Sequence, residues 1–384
     1  MKILAGALTL RPDGPTIGAA GASVGHQRAI AYWLLFCCGM IFAMLVIGGV
    51  TRLTLSGLSI TEWQLVTGMV PPLSDAAWTA EFEKYQSIPQ YRLLNYGMSL
   101  GEFKSIYLWE YLHRLWGRLI GVAYALPLIY FLVRRQVPRR LVLPLAGIFM
   151  LGFAQGALGW YMVKSGLADR VSVSQYRLVA HLALALAIYA ATLWIALGIL
   201  ASRMQRASRP HPSSPPLAGE GVTGGWRRAA EAIIGLIGLT IVAGGFVAGL
   251  HAGLTYNTFP LMDGGVVPAG YAQLQPFVLN WFENIAAVQF NHRLLAVATL
   301  AAVVALWLAG SRTALPPPAR LALHALVAAA ALQFALGVAT LLLVVPVALG
   351  AAHQAGAVVL LTAAIVFRHV LRRPELDLAP APSI

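Results

Sequence analysis

Four of the nine histidines in this chain lie at matching points of four separate apolar segments. His113, His181, His292 and His353 each stand in the first turns of an even-numbered apolar segment, which places all four imidazoles at one depth. A polar side chain at membrane depth is costly and therefore usually marks a functional site. One such histidine would often be explained by a hydrogen bond between helices, but four at one depth predict a shared kind of ligand.

Two imidazoles on neighbouring helices suit haem better than other metal groups. Zinc takes four ligands, and no third histidine, cysteine or carboxylate recurs beside both pairs. Copper usually brings cysteine or methionine close by, and neither is evident there. Haem needs only two axial ligands, and four-helix bundles build such sites from facing side chains. The pattern therefore predicts two bis-histidine haem sites, one in each half of the chain.

Charged and small residues beside the histidines fit this interpretation. Three arginines, Arg114, Arg118 and Arg293, are candidates for pairing with haem propionates, although anchoring at the membrane surface would explain them equally. Glycines such as Gly48 and Gly159 thin the helix surfaces and would leave room for a flat macrocycle.

The two halves differ at one chemically important position. Glu110 precedes His113 by three residues and shares its helix face, whereas Gln289 holds the equivalent place before His292. An acid beside one haem and an amide beside the other suggests reaction at the first site and electron handling at the second. The alternative is that Glu110 only caps its helix, since the positive helix start favours a carboxylate. The residues alone leave both interpretations open.

The composition identifies the elements that carry these residues as membrane-spanning helices. Of 384 residues, 59% are hydrophobic and 11% are charged, against roughly 25% charged in soluble domains. These values exclude a soluble enzyme and a disordered chain, and the adjacent Cys37 and Cys38 exclude a disulfide scaffold. Because about 20 apolar residues cross a bilayer as a helix, we predict an all-α membrane protein of eight transmembrane helices. The predicted spans are 29–50, 111–133, 143–163, 178–200, 231–251, 287–309, 321–344 and 350–371.

The basic residues indicate the orientation of these spans. Of the 27 lysines and arginines, seventeen fall in one set of loops and tails and seven in the opposite set. Cytoplasmic loops are the ones enriched in lysine and arginine. We therefore expect a multi-pass protein of the bacterial cell inner membrane, with both termini cytoplasmic and the haem sites near the periplasmic side. The net charge of +13 then reports topology, and no nucleic-acid partner is expected.

The two halves of the chain form a tandem repeat. Four motifs of the first half recur in the same order in the second, with offsets that shrink because the first half has longer outer loops. The matched motifs are Gly48-Gly49 with Gly244-Gly245, His113-Arg114-Leu115 with His292-Arg293-Leu294, Gln155 with Gln333, and His181 with His353. With four spans each, both units start on the same side of the membrane. We therefore predict two parallel four-helix units related by pseudo-two-fold symmetry along the membrane normal.

These features divide the chain into five predicted segments. They are a cytoplasmic N-terminal tail, 1–28; an N-terminal four-helix unit, 29–200, with a large outer loop, 51–110; a proline- and glycine-rich cytoplasmic linker, 201–230; a C-terminal four-helix unit, 231–371; and a cytoplasmic tail, 372–384.

Several of the residues described above belong to longer sequence motifs. They include Gly48-Gly49-Val50-Thr51-Arg52-Leu53-Thr54, Ser56-Gly57-Leu58-Ser59, Trp109-Glu110-Tyr111-Leu112-His113-Arg114, Gln155-Gly156-Ala157-Leu158-Gly159-Trp160, Asn257-Thr258-Phe259-Pro260-Leu261-Met262 and Asn291-His292-Arg293. With these motifs, residues 30–372 resemble the haem A synthase family in its mitochondrial and proteobacterial branch. One branch of that family carries a cysteine pair in an outer loop. This sequence has none there, so a thiol-based mechanism is not expected.

The resemblance implies an activity and a role for each site. The family oxidises the C8 methyl of haem O, a farnesylated haem, to a formyl group through successive hydroxylations, which gives haem A for terminal cytochrome oxidases. By resemblance, His292 and His353 hold the iron of a resident haem b that relays electrons, in the C-terminal unit. The N-terminal unit would take the substrate haem, with His113 and His181 on its iron. Glu110 would then lie near the reacting edge as the catalytic candidate.

The resemblance also implies partners, and the residues leave alternatives. Implied partners are the substrate haem O, membrane lipid, an external electron donor and the haem O synthase. A di-haem cytochrome b in quinol-linked electron transfer would use bis-histidine haem equally well. A non-catalytic haem carrier is a third class. A transporter is disfavoured, because beyond the histidines and Glu110 the spans contain no chain of ionisable groups.

Overall fold

The computed structural model describes residues 17–63, 67–169, 171–207 and 220–372, and this part of the chain is helical without a β-strand. Eight helices are long and apolar enough to cross a membrane. They are α1 (Ile17–Leu53), α4 (Leu100–Val133), α5 (Arg139–Asp169), α6 (Gln175–Ala207), α7 (Glu220–Gly249), α9 (Ile285–Ser311), α10 (Pro317–Leu342) and α11 (Val347–Val370). Three short helices, α2 (Asp75–Gln86), α3 (Pro89–Leu93) and α8 (Asn280–Glu283), lie in the loops that follow α1 and α7. The prediction of an all-α protein with eight membrane helices is confirmed.

The helix α4 begins well before the apolar segment that predicted it. It starts at Leu100 rather than at 111, because Ser99 and Glu102 form a capping box. The Ser99 hydroxyl accepts from the backbone N–H of Glu102, and the Glu102 carboxylate accepts from the backbone N–H of Ser99 at 2.8 Å. His113 therefore lies three turns into α4, whereas the other three histidines lie near the starts of their helices. Hydropathy reports where a helix crosses the bilayer, and capping residues decide where it begins.

Other helix ends also extend into segments predicted as tails or linker. α1 begins at Ile17, inside the predicted tail 1–28. α6 continues to Ala207 and α7 begins at Glu220, so both ends of the predicted linker 201–230 are helical. Residues 1–16, 208–219 and 373–384, which make up the remainder of the predicted tails and the middle of the linker, lie outside the described residues.

In each half, four long helices pack around one another. α1 packs against α4 and α6, and α5 packs against α4 and α6. In the second half α7 packs against α9 and α11, and α10 packs against both of these. The halves meet where α1 and α6 lie against α7 and α11. The histidine-bearing helices α4 and α9 are therefore peripheral to this interface, while α6 and α11 belong to it.

Small residues allow the two halves to approach closely. A Cβ on Gly49 of α1 would collide with the side-chain amide of Gln354 on α11, and a Cβ on Gly245 of α7 would lie 2.9 Å from Val179 on α6. Close helix approach at small residues is the usual packing mode in a membrane, where lipid supplies little hydrophobic driving force between helices. The Gln354 amide uses this proximity to donate to the backbone carbonyl of Leu45.

The loop between α1 and α4 is anchored by its own aromatic core. Tyr85 and Phe103 are fully buried, and Phe82 and Tyr107 pack against Phe103. Because Phe103 and Tyr107 belong to the first turns of α4, this core joins the loop rigidly to the helix that carries His113. On the loop surface, hydrogen bonds and ion pairs to nearby carboxylates raise the pKa of Lys84.

Candidate functional site

Each predicted histidine pair is built against glycines of the preceding helices. In the first half, a Cβ on Gly48 of α1 would lie 3.1 Å from Nε2 of His113 on α4. A Cβ on Gly159 of α5 would lie 3.0 Å from Cε1 of His181 on α6. Contacts this short are tighter than most that real Cβ atoms make, so a larger residue at either position would press the imidazole out of its place by a few tenths of an ångström.

The second half repeats the arrangement at equivalent positions. A Cβ on Gly244 of α7 would lie 2.9 Å from Cε1 of His292 on α9. A Cβ on Gly337 of α10 would lie 2.8 Å from Cε1 of His353 on α11. The glycines thus make room for the rings themselves, a closer relation than the space for a macrocycle that the sequence suggested.

The geometry of the second histidine pair fits two ligands of one haem iron. The ring centroids of His292 and His353 are 6.4 Å apart, with an angle of 83° between the ring planes. A metal–imidazole bond is about 2 Å long and the ring centroid lies about 1 Å farther on, so two imidazoles on opposite sides of one metal have centroids about 6 Å apart. Among the described residues no group of three or more histidine, cysteine or acidic side chains could hold a metal ion.

Polar groups hold the two rings of this pair in place. Nδ1 of His292 lies 3.1 Å from the backbone carbonyl of Thr240, the contact that fixes Nδ1 as the protonated nitrogen and leaves Nε2 for a metal. The Gln333 amide donates to the backbone carbonyl of His353 at 2.9 Å and lies 3.1 Å from Nδ1 of that ring. Its Oε1 is buried without a hydrogen-bond partner.

The first histidine pair lacks part of this support. The Gln155 amide donates to the backbone carbonyl of His181 at 3.0 Å, as Gln333 does for its own histidine. However, Nδ1 of His181 and Oε1 of Gln155 are both buried without a hydrogen-bond partner. The ring of His181 therefore lacks the polar contact at Nδ1 that the ring of His353 has.

Glu110 is buried and all of its carboxylate contacts are made inside the protein. Oε2 accepts from the hydroxyl of Ser59 at 2.7 Å and from the backbone N–H of Ile60 at 2.8 Å. Oε1 pairs with Arg114 at 2.6 Å, and the two side chains are only 3% and 9% exposed. The sequence alternative of a simple helix cap does not describe this residue, because Glu110 lies inside α4 and clamps the loop that follows α1.

Gln289 holds the matching loop of the second half with the opposite hydrogen-bond polarity. Its Nε2 donates to the backbone carbonyls of Ala252 and Thr255 at 2.7 and 2.6 Å. Its Oε1 accepts from Arg293 at 2.9 Å, so the acid–arginine clamp of the first half becomes an amide–arginine clamp. The Glu110/Gln289 difference therefore has a structural component, since the loop presents an N–H and a hydroxyl in one half and carbonyls in the other.

The arginines proposed as propionate partners have protein partners of their own. Arg114 donates to the backbone carbonyls of Ile60 and Glu62 at 2.8 and 2.9 Å, and its guanidinium lies over the ring of Trp63. Arg118 donates to the backbone carbonyl of Gly68 at 3.2 Å. Both arginines line a cavity of about 300 Å³ beneath the loop.

Arg293 repeats the role of Arg114 in the second half. It donates to the backbone carbonyls of Tyr256 and Thr258. These residues correspond to Ile60 and Glu62 by the same offset that relates Gly48-Gly49 to Gly244-Gly245. Each arginine thus ties a loop to the helix that carries a histidine. Sequence analysis could not assign these contacts, because the loop carbonyls are more than 30 residues away along the chain.

His251, at the end of α7, forms a contact between the halves rather than a fifth member of the site. Its Nε2 accepts from Arg52 of α1 at 2.8 Å, and Arg52 also donates to the backbone carbonyl of Ala248 at 2.8 Å. Burial and the Arg52 charge lower the pKa of His251 to about 4, so the ring is neutral at physiological pH and can accept this hydrogen bond. The link between the halves through Arg52 was missed in the sequence, where neither residue has a visible partner.

Comparison with known proteins identifies the family to which this constellation belongs. The profile of the COX15-CtaA family, described as "Cytochrome oxidase assembly protein", matches residues 31–365, which include all four histidines. The chain belongs to the COX15-CtaA family. The resemblance to the haem A synthase family, found over residues 30–372, is thereby confirmed for residues 31–365.

Individual relatives match nearly the whole chain. A protein named "Heme A synthase" from Nitrosospira multiformis is 51% identical over 347 residues, covering 90% of this chain and 94% of the relative. One of the same name from Rhodospirillum centenum is 52% identical over 357 residues, covering 92% and 91%. "Heme A synthase COX15" from Arabidopsis thaliana is 44% identical over 358 residues, covering 92% and 76%. This chain is thus similar over most of its length to proteins of two bacteria and a plant.

Proposed function

We propose that this protein is a haem A synthase, which oxidises the C8 methyl of haem O to a formyl group and so provides haem A for terminal cytochrome oxidases. The observation that carries the proposal is the identity of about half of all residues, over nine-tenths of the chain, with proteins named "Heme A synthase". Two histidine pairs built against glycines support it, because an enzyme with a resident and a substrate haem needs two such sites.

We assign the resident haem b to the second half. His292 and His353 would hold its iron, since their spacing suits two axial ligands and both rings have polar groups at Nδ1. Bound there, haem b would supply one-electron transfer. His113 and His181 would bracket the substrate haem, and the unsupported Nδ1 of His181 suits a ligand that must be released after each turnover.

Glu110 is the proposed catalytic carboxylate. It precedes His113 by nearly one turn of α4, and a buried carboxylate there can accept a proton or stabilise positive charge at the edge of the substrate. Arg114, Ser59 and Ile60 hold it in one position, so it is preorganised for that role. The same contacts position the loop that covers the first site.

Orientation and partners complete the proposal. From the basic loops we infer that both termini lie in the cytoplasm of a bacterium and that the histidine sites lie toward the periplasmic side of the inner membrane. Haem O would be received from the haem O synthase, and electrons from an external donor. Arg114, Arg118 and Arg293 remain the proposed neighbours of the haem propionates.

The proposal is tested by chromatography of haems extracted from membranes that make haem O, with and without this protein. We expect haem A, or its hydroxylated precursor, only when the protein is present, and we expect it to disappear in a His113→Ala variant. If the purified protein binds only haem b and leaves haem O unchanged under aeration with a supply of electrons, the protein is instead a di-haem cytochrome b of electron transfer.

The glycine at position 337 offers a sharp test of the resident site. Gly337→Ala adds a methyl group 2.8 Å from the ring of His353, so the ring must move away from its ligating position. We expect the purified variant to lose most of its haem b. If the shift of the ring costs about 1.4 kcal/mol of binding free energy, the affinity for haem b falls about tenfold. The haem content per protein is measured from the pyridine haemochrome spectrum. Gly238→Ala on α7 is the matched control, because its added methyl meets no atom within 4 Å; equal haem loss in both variants would contradict the prediction.

A further inference from the structure

The middle of α5 is unusually poorly packed. All six residues from 149 to 154 are exposed, and six consecutive residues cover every face of an α-helix. At this level α5 therefore leaves a gap toward its neighbours, although Leu145 and Ile148, one turn away, are buried in the core.

The second half has no such gap at the equivalent level of α10. With the offset that relates Gln155 to Gln333, residue 152 corresponds to Ala330, which is buried with 3% exposure. Gly156 corresponds to Phe334, whose ring packs against Phe259 at a centroid distance of 5.9 Å. The first half thus has a glycine where the second half has a phenylalanine whose ring is packed against another ring.

The gap lies beside the first histidine pair. Gly152, Gly156 and Gly159 share one face of α5, because they are spaced by four and three residues. Gly159 is the residue against which the ring of His181 packs, whereas a Cβ on Gly152 or Gly156 would meet no atom within 4 Å. The same is true of Gly121 on α4, which corresponds to Leu300 in the second half. Two buried polar atoms nearby, Nδ1 of His181 and Oε1 of Gln155, lack hydrogen-bond partners.

We propose that this gap receives the farnesyl tail of the substrate haem O. The inference rests on the proposed function. It adds a binding site for the farnesyl tail, the group that the substrate haem has and the resident haem lacks. The tail is apolar, and the gap lies at membrane depth along α5, a helix that qualifies as a membrane span. Haem b has no such tail, and the half assigned to haem b is filled at the same level.

Binding of two haems to the first site tests this assignment. The protein, loaded with its resident haem in lipid nanodiscs, is titrated with haem O and with tail-less haem B, and binding is followed by the Soret difference spectrum. We expect the wild type to prefer haem O by about tenfold, through packing of the tail against the gap. In Gly156→Phe, which introduces the residue found at 334, we expect haem O to lose about tenfold and haem B less than about twofold in affinity.

Controls separate this proposal from misfolding and from failure of the proposed function. Leu143→Phe, at an 80% exposed position of α5, should leave both affinities unchanged. If Gly156→Phe loses its resident haem, Gly121→Leu becomes the deciding variant. Equal affinities of the wild type for the two haems would overturn the proposal and indicate that a lipid acyl chain occupies the gap. A preference for haem O that is unchanged in the variant would also overturn it. If the wild type still produces haem A when one of these contrary results is found, the proposed function stands and only the site of the tail was wrongly assigned.

Discussion

Replacement of His353 by alanine is expected to remove almost completely the haem b that we propose for the second half. The His292 and His353 rings are the two groups whose 6.4 Å separation suits opposite ligands of one iron, so loss of either leaves only one protein bond. Second-site supports such as Thr240 and Gln333 cannot replace a ligand, since a carbonyl or amide is a poor partner for haem iron. We expect less than about a tenth of the wild-type haem content, measured as pyridine haemochrome per purified protein.

Two other histidine variants serve as controls for this prediction. His113→Ala should keep the resident haem with its six-coordinate, bis-histidine spectrum, because the two pairs lie in different halves. His324→Ala removes a histidine near the start of α10 whose Nδ1 accepts from Trp307, and this variant should retain both haem content and activity. A six-coordinate haem in His353→Ala at wild-type content would show that the resident site has been assigned to the wrong residues.

Removal of the Glu110 carboxylate is expected to have the second large effect. In Glu110→Ala the Arg114 guanidinium loses its buried counter-ion, and breaking a buried pair by removing one partner costs about 3–5 kcal/mol. The N–H of Ile60 loses its acceptor as well, and the hydroxyl of Ser59 keeps only its 3.4 Å contact to the backbone carbonyl of Ile106. We expect a clear fall in the thermal midpoint of the detergent-solubilised protein and no formation of haem A.

The conservative variant separates the structural role of Glu110 from a catalytic one. In Glu110→Gln the shape is kept, and we expect haem binding to be retained while the formyl product is lost. Haem chromatography and the thermal midpoint are measured on the same preparation. If activity falls only in proportion to the thermal midpoint, Glu110 acts as a loop clamp, as Gln289 does in the second half. Normal haem A output would remove Glu110 from the mechanism.

The reciprocal change, Gln289→Glu, serves as the control for these effects. A carboxylate there would face the carbonyls of Ala252 and Thr255, which have no proton to offer it. We expect this variant to be destabilised through its loop while its first site stays intact. Glutamate should thus stabilise the loop at position 110 and destabilise the loop at position 289. This difference follows from the reversed hydrogen-bond polarity of the two loops.

Parts of the site were accessible from the sequence because their signals are local. The matching positions of the four histidines could be found from spacing alone, and the family profile that covers them confirms the family. The contacts of Glu110 could not be found in this way, because Ser59 lies 51 residues from it and only the packing of the loop on α4 brings them together. The interpretation of the glycines as space for a macrocycle was incomplete for the same reason: the ring that each glycine contacts belongs to the next long helix.

The sequence by itself determined the class of this protein, its eight membrane helices and the matching positions of its four histidines. These follow from apolar length and helical periodicity, which depend on neighbours in the chain. Only the tertiary structure decided that a glycine faces each imidazole, that Arg114 and Arg293 clamp equivalent loops, and that α5 leaves a gap where α10 is packed. These features depend on how closely helices distant in the chain approach one another, and that distance is set by the packing of all their side chains together.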